Sequence, residues 1–256
     1  SLRRGWSADW NQALAGRTVT GVRRRGKWIL LDLDRGLLVI HLGMTGRLTV
    51  GPADRPIEGH THFLADLDDG GQMRFRDVRR FGSITLYADA GELESFLAGR
   101  LGPEPFDLGR AEFRRALATT ARPLKAVLLD QRVVAGVGNI YADESLFQAR
   151  LSPRILGRRT TPAQAERLRK AIVKVLDRAI EMRGSTIRDY VGGSGRRGSY
   201  QDEFRVYGRT GRPCPRCRTP IVRVRLAGRS THYCPKCQRT GRANSSLAVN
   251  RRLAAR

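Results

Sequence analysis

The four cysteines of the chain all fall between Arg212 and Gln238: Cys214, Cys217, Cys234 and Cys237. The spacing is C-x2-C, sixteen residues, then C-x2-C, and each pair sits in a tight knuckle, Cys-Pro-Arg-Cys and Cys-Pro-Lys-Cys. Two such knuckles bring four thiolates to the corners of a tetrahedron, the geometry of a closed structural zinc site. Two disulfides are the alternative, and they require an oxidising compartment to which nothing else in the sequence points. Four protein ligands leave no open position for chemistry, so one structural Zn2+ is expected. Between the pairs, Ile221 to Leu226 alternates apolar residues with Arg, and Thr231 to Cys234 follows a turn at Gly228. That pattern predicts a β-hairpin, with Arg223 and Arg225 on its strand and Arg229 at its turn.

The hairpin belongs to a strongly basic chain. Lys and Arg number 48 against 24 acidic residues, a net charge of +24 over 256 residues. Only Lys27, Lys125, Lys170, Lys174 and Lys236 are lysines. Guanidinium groups match phosphate oxygens two at a time, so an Arg excess on a folded domain favours a polyanionic partner. A GC-rich genome would account for the ratio of Arg to Lys but not for the net charge. At 40% hydrophobic content the chain can bury a core, as one large domain or two of ordinary size. No apolar run reaches transmembrane length, and SLRRGWSADW has charge without the apolar segment of a secretory signal. The expectation is a soluble, cytoplasmic protein with no membrane partner.

From Gly16 to Ala88 the pattern is of short strands and turns. Trp28–Leu33, Leu37–Leu42, His62–Leu67, Gln72–Arg76 and Ser83–Tyr87 are separated by turn signals such as Asp34-Arg35-Gly36. An antiparallel sheet or sandwich is predicted. Around Leu101-Gly102-Pro103-Glu104-Pro105 the character changes, as at an interdomain link, and the chain becomes helical. Thr161-Pro162-Ala163-Gln164 supplies an N-cap, a first-turn Pro and a capping-box Gln, and the apolar spacing from Leu168 to Met182 runs on to Gly184. Arg167, Lys170, Lys174 and Arg178 on that helix read as a solvated face. The Gly-rich loop Gly192, Gly193, Ser194, Gly195, Arg196, Arg197, Gly198, Ser199 can order around a ligand or serve as plain surface.

Pro123 to Ala149 reads as helix, tight two-glycine turn and second helix, the second capped by Asn139. The exposed amides at that helix start, uncrowded at Gly136 and Gly138, can bind a phosphate; a helix pair that merely packs fits the segment equally well.

Taken together, RRRGKW (23–28), HLGMTGRL (41–48), RDVRRFG (76–82), AGVGNIYADESLF (135–147), YGRTGRPC (207–214) and GRSTHYCPKCQ (228–238) resemble the bacterial formamidopyrimidine-DNA glycosylases of the Fpg/Nei superfamily. The likeness runs from about residue 15 to 240, in the family's order and spacing. It implies an α+β chain: an N-terminal antiparallel β-sandwich (1–99), a linker (100–112), a helix-two-turn-helix domain (113–202), a zinc finger (203–240) and a tail (241–256). The implied partner is damaged double-stranded DNA, gripped by a monomer associated with the bacterial nucleoid. The implied activity is removal of oxidised purines with strand cleavage. An enzyme that cuts a base from its sugar must extrude it, and something must fill the hole. The residues matching the family's void-fillers are Met44, Arg79 and Phe81. Met44 and Phe81 are large enough to wedge between bases, and Arg79 can hydrogen-bond the orphaned cytosine. By the same resemblance His60, Lys125, Asn139 and Arg229 contact DNA, Lys27 holds the lesion-side phosphate and assists cleavage, Arg229 shares in the catalytic site, and residues 192–199 close over the extruded base.

The family's nucleophile is an N-terminal proline followed by a glutamate, and its amine forms a Schiff base before two eliminations cut the strand. This chain starts at Ser1 and has no Pro before Pro52. About the first thirty residues of a typical member are therefore expected to be absent. The intact downstream set favours an active enzyme of which these residues are a part; the alternative is a relative that binds lesion or abasic DNA without that nucleophile. A zinc-ribbon nucleic-acid-binding module would explain the cysteines and the charge, but not the set Lys27, Met44, Arg79 and Phe81.

Overall fold

The computed structural model describes residues 6–186 and 196–239. In chain order the elements are α1 (Asp9–Leu14), β1 (Val19–Arg25), β2 (Trp28–Leu33), β3 (Leu37–His41), β4 (Gly46–Pro52), β5 (Thr61–Asp66), β6 (Gly71–Asp77), β7 (Ser83–Tyr87), α2 (Ala90–Leu97), α3 (Arg110–Ala118), α4 (Leu124–Leu129), α5 (Asn139–Gln148), α6 (Pro162–Glu181), β8 (Val222–Leu226) and β9 (Arg229–Tyr233). They fall into two compact units. One comprises residues 1–104, 134–136 and 176–203, and the other 105–133, 137–175 and 204–256. The chain first crosses between them at Glu104 and Pro105.

The first unit holds two antiparallel sheets, ordered β1-β2-β3-β7 and β4-β6-β5. Successive side chains of a strand point to opposite faces, so a sheet covered on both sides needs apolar residues at both parities. The run Trp-Ile-Leu-Leu-Asp-Leu of β2 does this. Leu31 and Leu33 join Leu38, Ile40, Met73, Phe75 and Ile84 in the core that both sheets share. Leu30 turns the other way and packs with Leu37, Val39, Tyr87, Leu93 and Leu97, the last two from α2. Helix α2 is set by a reciprocal cap: Asp89 accepts the Glu92 amide at 2.9 Å, and Glu92 accepts the Ala88 amide at 2.9 Å.

Five strands stand within one residue of the positions predicted for them, but β1 and β4 were not expected. Both are edge strands with ragged alternation. Their exposed and half-buried residues do not follow the two-residue period, so the sequence carries no strand signal there.

In the second unit α4 and α5 form the helix pair, and α6 starts as the sequence indicates, with Thr161 and Gln164 capping one another at 2.9 and 3.2 Å. Gly184, at φ +81°, ends the helical run. A small core of Phe147, Val206, Cys214, Ile221 and Cys234 joins α5 to the cysteine hairpin. The β8–β9 turn is Ala227-Gly228, both left-handed, so Arg229 is the first residue of β9, paired with Leu226, rather than a turn residue. No helix among the described residues is long and apolar enough to cross a membrane.

Candidate nucleic-acid interface

The four cysteine sulfurs lie within 4.8 Å of one another, with Cys214 and Cys237 at 3.9 Å and Cys217 and Cys234 at 3.4 Å. A tetrahedron with metal–sulfur bonds of about 2.3 Å has edges of roughly 3.8 Å, so the cluster fits one structural zinc. Hydrogen bonding to Thr219 draws the Cys217 thiol down to about 6, while burial and the neighbouring thiols push Cys237 up to about 12. A bound cation would ionise all four.

The hairpin held by this cluster meets the start of α5. Asn139 does not cap its helix, as the sequence suggested; it is the first helical residue, after Gly138. Its side chain is committed elsewhere, because Nδ2 donates to the Ser230 carbonyl on β9 at 3.1 Å. Lys125 lies beneath. Its side chain is 0% exposed, and Nζ donates to the Asn139 carbonyl at 2.9 Å and to Asp143 at 2.5 Å. Burial lowers its pKa against the pull of Asp143, and the Arg229 charge lowers it further. Lys125, Asn139 and Arg229 are thus one cluster, with Arg229 exposed and Lys125 supporting from inside, a different position from the solvent-facing one expected of a phosphate contact.

Two buried acids complete the support. Asp143 Oδ2 accepts the His232 amide at 2.9 Å and lies 3.2 Å from its Nδ1. Glu144 accepts the amides of Arg205, Val206 and Tyr207 at 3.0, 3.0 and 2.8 Å; burial pushes its pKa up against these three donors. The charged stripe of α6, Arg167, Lys170, Lys174 and Arg178, is exposed, and three of its members also bond within the protein: Arg167 donates to Ala149 O, Lys170 pairs with Glu166, and Arg178 pairs with Glu181 and Glu203.

In the first unit, Lys27 and Met44 line one cavity of about 360 Å3, together with Trp28, His41 and Thr45. Lys27 is exposed at the turn between β1 and β2. That turn is clamped by Glu104, which accepts the Gly26 amide at 2.5 Å, Arg24 at 2.8 Å and Arg25 at 2.9 Å. Desolvation raises the Glu104 pKa, but the amide and the two guanidiniums outweigh it, and the carboxyl ends below its ordinary value.

Met44, 56% exposed, and Phe81, 47% exposed, project from adjacent turns at one end of the sheets. The Arg79 guanidinium lies over the Phe81 ring, 5.4 Å from its centroid. His60, exposed and left-handed at φ +67°, ends a loop held by Arg74, which donates to the carbonyls of Ala53, Arg55 and Pro56, and by Arg76, which donates to that of Gly59. Residues 192–195 of the Gly-rich loop lie outside the described residues. Its end is anchored: Gly198 donates to the Thr186 hydroxyl at 2.9 Å and Ser199 to the Met182 carbonyl at 3.0 Å. The sequence reading did not single out Asp77, Glu104, Asp143 or Glu144. Each stood inside a motif already quoted or in the predicted link.

Comparison with known proteins matches this architecture segment by segment. The formamidopyrimidine-DNA glycosylase N-terminal domain matches residues 1–84, the H2TH domain of the same enzymes matches 101–191, and a zinc finger found in FPG and IleRS matches 211–240. The formamidopyrimidine-DNA glycosylase of Moorella thermoacetica is 51% identical over 220 residues, 84% of this chain and 80% of that protein. That of Desulforamulus reducens is 48% identical over 219 residues, 84% of this chain and 79% of that protein. Among solved structures, a Lactococcus lactis FPG mutant in complex with DNA containing Fapy-dG superposes with a TM-score of 0.86 at 36% identity, covering 91% of this chain and 86% of the other. The Lactococcus lactis Fpg in complex with DNA containing an abasic site superposes with a TM-score of 0.85 at 37% identity, over the same shares of the two chains. The chain belongs to the formamidopyrimidine-DNA glycosylase family.

Proposed function

We propose that this protein acts in base-excision repair, recognising oxidised purines such as 8-oxoguanine and formamidopyrimidines in duplex DNA and releasing them as a glycosylase with abasic-site lyase activity. The observation that carries the reading is the exposed set Met44, Arg79 and Phe81 on adjacent turns, with Lys27 and Met44 lining one cavity. Met44 and Phe81 project together from neighbouring turns, and a base stack with one base removed is a gap that two such side chains fit. Arg79 supplies the donors that an unpaired cytosine edge accepts.

The second unit supplies backbone contacts. Arg229 and the Asn139 helix start face phosphate, while Lys125 holds the Asn139 carbonyl from the interior. The zinc is structural: it fixes the hairpin that presents Arg229 and takes no part in bond breaking. At the lesion, an amine attacks the sugar C1′, the base departs, and the resulting Schiff base permits β- and δ-elimination of the flanking phosphates. Lys27 holds the lesion-side phosphate during those steps. Residues 192–199 are assigned to closure over the extruded base.

Borohydride trapping on a duplex carrying 8-oxoguanine opposite cytosine, beside an abasic duplex, tests this. A covalent adduct on both, mapped to its amine by peptide analysis, is the expected result for an enzyme. Lesion-selective binding without an adduct points to a damage-binding relative. Equal affinity for damaged and intact duplex at matched salt overturns the reading, leaving phosphate attraction by a basic zinc-ribbon protein.

A further inference from the structure

We infer that the Asp77 carboxylate, acting through Thr45, is the positioning group that makes the Met44 turn and the Arg79–Phe81 turn a single preset wedge. The inference rests on the void-filling reading above and assigns to that wedge a residue which touches no DNA.

Asp77 ends β6 and is 0% exposed. One oxygen, Oδ1, accepts the Thr45 hydroxyl at 2.5 Å and lies 3.3 Å from the Arg79 amide; the other, Oδ2, accepts the Gly82 amide at 2.7 Å. The Thr45 hydroxyl also accepts the Arg79 amide at 3.2 Å. One carboxylate therefore satisfies both ends of the turn carrying Arg79 and Phe81, and reaches through a hydroxyl to the residue beside Met44. The backbone of Asp77 joins a third segment, for its amide donates to the His60 carbonyl at 3.0 Å and its carbonyl lies 2.9 Å from His62 Nε2.

The two turns also press together backbone to backbone. A Cβ added at Gly43 would stand 2.6 Å from Gly82 N and 2.6 Å from Phe81 C. Neither turn can shift without breaking hydrogen bonds to a buried carboxylate that has no water to replace them. Side chains held this way reach the base stack already in place, and little conformational freedom is lost on insertion. An amide at position 77 must turn its NH2 toward one of the donors it faces, so Asp77→Asn loses at least one of these bonds and leaves two donors opposed.

The test compares Thr45→Val, Thr45→Ser and Asp77→Asn with Met44→Ala and Phe81→Ala in the full chain. The first readout is the affinity ratio for a tetrahydrofuran-containing duplex over an intact duplex, with 2-aminopurine beside the gap to report unstacking. The second needs no DNA: the 13C-methyl signal of Met44 and the exchange rates of the Arg79 and Gly82 amides. Thr45→Val and Asp77→Asn are expected to lower the ratio about tenfold, the effect of one charge-assisted hydrogen bond. They are also expected to move the Met44 signal and speed Arg79 exchange, with affinity for intact duplex unchanged and Thr45→Ser close to wild type. Wild-type ratios and an unmoved Met44 signal in Thr45→Val and Asp77→Asn, while Met44→Ala and Phe81→Ala lose selectivity, overturn the inference and leave the reading standing. Full selectivity in Met44→Ala and Phe81→Ala overturns the reading and the inference with it.

Discussion

Lys125 Nζ lies 2.5 Å from Asp143 Oδ1, and neither side chain has any exposed surface. The pair joins α4 to α5, and through the other oxygen of Asp143 it reaches the His232 amide on the zinc-finger hairpin. Positive charge in this protein is therefore used in two ways. On the surface it is exposed to solvent, and here it fixes the inner wall of the surface proposed to meet phosphate.

Removing one member of a buried pair strands the other, at a cost of about 3–5 kcal/mol. Lys125→Met is expected to lose that much stability in urea unfolding. Asp143→Ala is expected to lose at least as much, because the His232 amide loses its acceptor as well. A loss below about 1 kcal/mol in Lys125→Met would mean that water reaches Asp143 and replaces the ammonium.

Glu104 gives a pH dependence with a definite sign. Its folded pKa lies below the ordinary value of 4.5, so its contribution is complete above that pH and is lost as the pH falls below it. Hydrogen exchange at the Gly26 amide is expected to accelerate as the medium is acidified through this window. Glu104→Gln is expected to exchange fast throughout and to lose the dependence. A Gly26 amide equally protected on both sides of the window would show that the turn is held without the carboxylate.

Zinc removal is expected to release the β8–β9 hairpin. Its core contains two of the four ligands, Cys214 and Cys234, and without the metal nothing ties the two knuckles together. The Asn139–Ser230 hydrogen bond and the placement of Arg229 would go with it. Chelation is expected to weaken duplex binding by about tenfold or more, reversibly on adding zinc. Unchanged binding after confirmed metal loss would remove the presenting role of the finger.

Gly43→Ala is expected to destabilise by about 1–3 kcal/mol, since φ is +62° and the new methyl meets the Phe81–Gly82 backbone. Gly70→Ala is the control, with φ +80° but nothing within 4 Å, and is expected to cost about 1 kcal/mol. Equal melting temperatures in the two variants would show that the Met44 turn yields without resistance.

The strands β2, β3 and β7, the α6 cap, the cysteine clasp and the two-glycine helix pair were all legible in the sequence. Each is specified by near neighbours, through apolar runs, turn residues and fixed ligand spacing. The cap of α2 was equally local, in Asp89-Ala90-Gly91-Glu92, and was passed over. Strands β1 and β4 were not legible, because their exposed and half-buried residues do not alternate with the period of a strand.

The site divides along the same line. Residue types and motif order determined that the chain has a four-cysteine zinc site, an Arg-rich surface and the apolar and basic tips Met44, Arg79, Phe81 and Lys27. The tertiary structure decided which charges stay outside. Lys125 and Arg229 are both cations that the resemblance set beside DNA, yet one is sealed against Asp143 and the other is exposed. It also decided that Asp77 and Asp143, buried, and Glu104, half-buried, which by type belong at the surface, serve as acceptors for groups 32 or more positions away: the Thr45 hydroxyl, the His232 amide and the Gly26 amide. A buried carboxylate is stable only when several donors converge on it, and that convergence is a property of the folded arrangement that no single stretch of sequence contains.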